Sequence, residues 1–148
     1  MEQGWDQYCK DKKEYGVQDH DLGTFSHGIV WDADCLFKIP DGYDSADAAP
    51  LMCAGATVWT ALIEYGIRST DRVGIMGIGG LGHLAIKLAS AMGCHVVVMS
   101  SSNRKKQEAL DFGANEFHVF RPDTPMQDEM KPLNHLLLCG SARVDFNS

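Results

Sequence analysis

The chain has 148 residues, 45% of them hydrophobic and 22% charged, with a formal net charge of −7 and a pI near 5.2. That is enough apolar material for one core of ordinary domain size, or for parts of two, and it excludes a disordered chain. The acidic balance excludes a protein built mainly to coat nucleic acid or an anionic membrane, so an anionic ligand has to be captured by a local arrangement.

No N-terminal stretch joins a basic segment to an apolar run and a small-residue cleavage site. No segment holds 18 apolar residues free of charge either, so the expectation is a cytoplasmic protein with no membrane partner. Five cysteines (Cys9, Cys35, Cys53, Cys94 and Cys139) are odd in number and widely spaced, without a Cys-x-x-Cys pair. This fits reduced thiols better than a disulfide framework or a self-contained zinc cluster.

In chain order, the first 25 residues are polar and charged without an apolar period, and read as loop. Residues 28–33 and 35–40 read as two short strands split by Asp32 and Asp34, the second stopped at the turn Pro40-Asp-Gly42. From 45 to 65 the pattern is helical: Ser45 and Asp47 suit caps, Pro50 suits a first turn, and Ala-rich apolar residues run to Gly66, with a break expected near Gly55. After Ser69-Thr70-Asp71 the spacing predicts strand 73–76, helix 81–92, strand 95–99, helix 103–112, strand 116–120, a short helix 123–130 and strand 135–139. Such alternation predicts an α/β fold whose parallel sheet has about four strands.

Between the first strand and its helix stands Gly77-Ile78-Gly79-Gly80-Leu81-Gly82. In that context a Gly-x-Gly-x-x-Gly pattern reads as a dinucleotide turn. Gly77 permits the tight turn, Gly79 lets the main chain approach a pyrophosphate, and Gly82 lets helix and strand pack closely. The free N–H groups at the helix start then face the phosphates, helped by the positive end of the helix dipole. A Gly-rich turn with no ligand is the alternative. A P-loop is excluded, because no Gly-Lys-Ser/Thr follows. His83 is a candidate base, but its place in the first helical turn suits packing beside the loop better.

Where the second strand meets an adenosine ribose, an acidic residue would bond the ribose hydroxyls and repel a 2′-phosphate. This chain has Ser100-Ser101-Ser102-Asn103-Arg104-Lys105 instead. Three hydroxyls and two cations favour a phosphate. One charged hydrogen bond is worth about 1.5–3 kcal/mol, so a preference for NADP of roughly tenfold or more is expected. A solvated helix start capped by Asn103 accounts for the same residues, and both readings can hold at once.

With Ala49-Pro-Leu-Met-Cys-Ala-Gly-Ala-Thr57, Lys38-Ile-Pro-Asp-Gly42 and the segment Glu108 to Asn115 added, the sequence resembles the zinc-containing medium-chain alcohol dehydrogenases, and within them the cinnamyl alcohol dehydrogenase branch. The resemblance implies a partial Rossmann-type NADP-binding domain over 69–148, a connecting helical segment over 46–68, and over 1–45 a small β-rich remnant of a GroES-like catalytic domain. It implies NADP and zinc as cofactors and interconversion of an alcohol and an aldehyde, small molecules both.

The same resemblance gives Cys53 the place of the third catalytic zinc ligand, where residue chemistry alone reads a buried apolar cysteine. A thiolate beside a helix start suits either the dipole or a metal. Thr57, one helical turn on, takes a position that contacts the nicotinamide, and Cys9 resembles the last of four structural zinc ligands. The remaining ligands of both sites would precede Met1, and two further strands and a homodimer contact would follow Ser148, so the expectation is a fragment. A non-catalytic NADP-binding remnant is one alternative. A zinc-independent quinone or enoyl reductase is another, against which the Cys53 block argues.

Overall fold

A computed structural model describes residues 8–13, 17, 18, 20, 21, 23–121 and 130–140. The chain divides into two units, Met1–Pro40 and Asp41–Ser148.

In the first unit the expected strands over 28–33 and 35–40 are absent. The backbone flanking Ala33–Cys35 is extended at Asp32 and Leu36, but no ladder partner accompanies it, and Ala33–Cys35 close a 3-10 turn. Asp32 caps that turn, its side chain accepting from the Asp34 N–H at 3.0 Å. A strand needs a neighbouring strand to form a ladder with, and among the described residues none pairs with these segments. Phe25, Val30 and Phe37 are correspondingly exposed.

The second unit carries the core. Helix α1 (Ser45–Ala48) is capped by Asp44, whose carboxylate accepts from the Ala46 N–H at 2.7 Å. A 3-10 turn follows over Ala49–Met52, with Pro50 in its first positions, then α2 (Ala54–Glu64). The break falls at Cys53, not at Gly55, and the two halves meet at 48°. Gly55 lies buried inside α2, where a Cβ would sit 3.1 Å from Leu51 Cδ2, so that glycine serves packing. No single helix among the described residues is long and apolar enough to cross a membrane.

Strands β1 (Arg72–Met76), β2 (His95–Ser100), β3 (Glu116–Val119) and β4 (His135–Leu138) form a parallel sheet in the order β3-β2-β1-β4. Helix α3 (Gly80–Ala91) packs on β1 and β2, and α4 (Lys106–Asp111), entered through a 3-10 turn at Asn103–Lys105, packs on β3. The helix expected over 123–130 lies, but for Met130, outside the described residues. Central strands read as unbroken apolar runs because both their faces are covered: Val73, Ile75, Val96, Val97 and Val98 are wholly buried. Among the described residues β4 pairs only with β1, and Leu136 and Leu138 are about half exposed along this apolar edge.

The strands begin on polar residues that tie them together. Arg72 sends two guanidinium hydrogen bonds to Glu116, at 2.8 and 3.1 Å, and Nε2 of His95 and of His118 stand 2.8 and 3.2 Å from the same carboxylate. The Arg72 hydrogen bonds first, and His95 second, hold Glu116 far below the usual carboxylate range. Two asparagines work as clasps. Asn115 donates its N–H to Val96 O and accepts the Val96 N–H on Oδ1, and Asn134 does the same with Arg72.

Candidate nucleotide-binding site

At the opposite end, β1 runs into the glycine turn, with β4 on one side of it and β2 on the other. This is the point where a doubly wound sheet reverses strand order and opens a crevice. The chain continues from β1 to β2 and leaves β4 to close the other flank.

Each glycine of the turn has a different reason to be there. Gly77 has φ of 96°, in the left-handed region, and a Cβ there would lie 2.9 Å from Gly140 N, just past β4. At Gly82 a Cβ would run into the carbonyl oxygen of Gly77, so α3 packs tightly on the turn itself. Gly79 and Gly80 differ, since nothing lies within 4 Å of a Cβ at either position and neither has positive φ. The chain's own packing requires glycine at 77 and 82 and not at 79. Space left there, over the start of a 12-residue helix with no side-chain cap, is a cradle that a Cβ would begin to fill. That observation fits the pyrophosphate of a dinucleotide.

Ile78 is buried while its carbonyl accepts the Lys105 ammonium at 2.9 Å. Lys105 was expected beside Ser101. Its Nζ instead reaches across and secures the glycine turn. His83 packs beside the turn as its helical position suggested, its Nδ1 3.3 Å from Gly79 O and its ring 5.7 Å from that of Phe112.

Ser100 ends β2, and Ser101, Ser102 and Arg104 are exposed on the loop that follows. Ser102 stands before the 3-10 turn but makes no side-chain cap. Its hydroxyl is therefore not consumed by the helix start, and no carboxylate stands among residues 100–105. One residue that sequence reasoning passed over joins this loop: Arg121 Nε donates to Ser101 O at 3.3 Å. The only sequence signal was a cation immediately beyond an expected strand end.

Cys53 is exposed, not buried, at the N-cap of α2, and its carbonyl accepts the Thr57 N–H at 2.9 Å. The two share a helical face. Thr57 and Leu81 line one groove of about 370 Å³ with Tyr65, Leu138 and Cys139, which brings α2 to the glycine turn. Burial pushes the Cys139 thiol up. Among the described residues no three His, Cys, Asp or Glu side chains gather to hold a metal, and Cys9 is exposed and free. Zinc sites need three or four protein ligands, and among the described residues Cys53 and Cys9 each offer one thiol.

The family model of zinc-binding dehydrogenases matches residues 80–137, from the start of α3 into β4. A probable cinnamyl alcohol dehydrogenase of Aralia cordata is 42% identical over 89% of this chain. Over these residues the chain is similar to the zinc-binding dehydrogenases. It spans 39% of the length of that relative. Among solved structures, CAD from Helicobacter pylori complexed with NADP(H) superposes with a TM-score of 0.54 at 36% identity, over 61% of this chain and 24% of the other. Acetophenone reductase from Geotrichum candidum in complex with NAD reaches 0.58 at 30% identity, over 69% and 29%. The solved structures similar to this chain thus include complexes with either dinucleotide.

Proposed function

We propose that this chain supplies the nucleotide site of an NADP(H)-dependent alcohol dehydrogenase that interconverts primary alcohols and aldehydes. The reading is carried by Gly79, a glycine that no contact among the described residues demands, placed where a pyrophosphate would meet the main chain. The cinnamyl alcohol dehydrogenase relatives supply the substrate class, and the NADP(H) complex of the Helicobacter pylori neighbour supports the cofactor.

When bound, the nicotinamide ring carries the hydride. The chain's own residues bind and orient. Free N–H groups at the start of α3 face the pyrophosphate. The hydroxyls of Ser100, Ser101 and Ser102 and the Arg104 guanidinium are donors for a 2′-phosphate, and no carboxylate repels it. Thr57 stands in the groove beside Leu81, on the side from which the nicotinamide end would approach. The five free thiols accord with a reducing, cytoplasmic setting.

Fluorescence titration of the chain with NADPH and NADH tests this. NADPH should bind at least about tenfold tighter, and Ser101→Asp should abolish the difference by placing a carboxylate against the phosphate. Equal affinities in the wild type would sink the cofactor assignment. A second reading is nucleotide binding without alcohol turnover. Cinnamaldehyde-dependent NADPH oxidation by this chain would refute it.

A further inference from the structure

The cationic groups around the serine loop are not equivalent. Lys105, the more obvious phosphate partner from its position, has its ammonium hydrogen-bonded to Ile78 O and directed at the glycine turn. Arg121 comes from the other side. The Phe120 N–H donates to Ser100 O at 2.9 Å and carries the β2-β3 pairing one residue past the strand end, which sets Phe120 level with Ser101 and Arg121 one residue beyond it. Its Nε–H then donates to Ser101 O. Nε is thereby spent on the main chain, while the two terminal amino groups have no partner among the described residues and the side chain is exposed. A guanidinium fixed through Nε presents those two groups as a fork, the geometry that matches phosphate oxygens.

We infer that Arg121 is a specificity-determining residue of the nucleotide site, which holds the serine loop through Nε and binds the 2′-phosphate of NADP(H) through its terminal amino groups. The inference rests on the NADP(H) reading above and extends it to a residue on β3's side of the loop. Because Arg121 is at the ligand end of the sheet and exposed, its replacement leaves the core untouched.

The test is titration of the full chain and three variants with NADPH and NADH, with circular dichroism to check each fold. Arg121→Ala and Arg121→Gln should each weaken NADPH binding about tenfold and NADH binding less than about twofold, and Arg121→Lys should retain part of the preference. Gln keeps an N–H donor for Ser101 O and loses the charge, so it separates phosphate binding from loop support. Equal losses for both cofactors, or NADPH affinity kept in Arg121→Gln, would show that Arg121 only supports the loop and would overturn the inference. A wild type with no preference for NADPH would instead overturn the NADP(H) reading itself. A wild type that prefers NADPH, with the same preference in Arg121→Ala, would remove Arg121 alone.

Discussion

The two ends of the parallel sheet are finished by opposite means. Where the strands begin, side chains tie them together: Glu116 gathers Arg72, His95 and His118, Asn115 and Asn134 clasp the neighbouring strand, and His135 stands 3.5 Å from the buried Asp71. Where the strands finish, the ties are mostly main chain to main chain, as in Gly77 N–H to Met99 O and Cys139 N–H to Met76 O. Glycines there take the place of side chains. Polar groups spent on each other stabilise a fold but offer nothing to a ligand, whereas main-chain donors left at a helix start do the reverse. One end is therefore built to hold the sheet together, and the other leaves main-chain donors for the dinucleotide proposed above.

The largest effect should come from removing a glycine that the turn itself needs. Gly82→Ala drives a Cβ into the Gly77 carbonyl and should cost at least about 3 kcal/mol in urea unfolding, through a forced shift of α3 from the turn. Gly79→Ala meets open space, and loses at most about 1 kcal/mol as an N-cap change, yet should weaken NADPH binding about tenfold or more. If Gly79→Ala binds NADPH like the wild type, the claim that this space serves a ligand fails.

The closed end answers to pH. Replacing Glu116 with Gln should cost about 2 kcal/mol near neutral pH, because Arg72 keeps a weaker partner while the charge between it and the two histidines is lost. A carboxylate whose folded pKa is depressed adds stability that is present above its ordinary value of 4.5 and disappears as pH falls through the lowered one. Asp71, lowered chiefly by the Arg68 N–H, acts in the same sense. Unfolding curves of wild type and Glu116→Gln should therefore be separate at pH 7 and draw together below pH 4.5, with no change in nucleotide affinity. A gap that stays constant down to pH 3 would refute the charge argument.

This contrast also explains what the sequence revealed. The ligand end was legible because its chemistry is local: six consecutive residues make the turn, and six more after β2 lack an acid. The sheet was legible because β2, His-Val-Val-Val-Met-Ser, can only be a strand buried on both faces. The Glu116 cluster was not, since Arg72 and Glu116 are 44 residues apart and meet only through the register of three strands. A signal existed in retrospect: each strand opens on Arg, His, Glu or His. The break expected near Gly55 falls at Cys53, and Gly55 itself is a contact surface for Leu51.

The smallest predicted effect concerns Lys105, one of two side chains that bridge loops at the open end. By sequence position it belongs to the phosphate cluster and its removal should hurt NADPH alone. The hydrogen bond to Ile78 O gives a different expectation, since losing it loosens the glycine turn that both dinucleotides use. Lys105→Met keeps the aliphatic stem and removes the ammonium. It should weaken NADPH and NADH by a similar factor of about three to ten, the worth of one partly exposed charged hydrogen bond. A loss confined to NADPH would mean that the ammonium leaves Ile78 for the phosphate when the nucleotide binds, and the open end would then hold one more side chain committed to the ligand and one fewer to the fold.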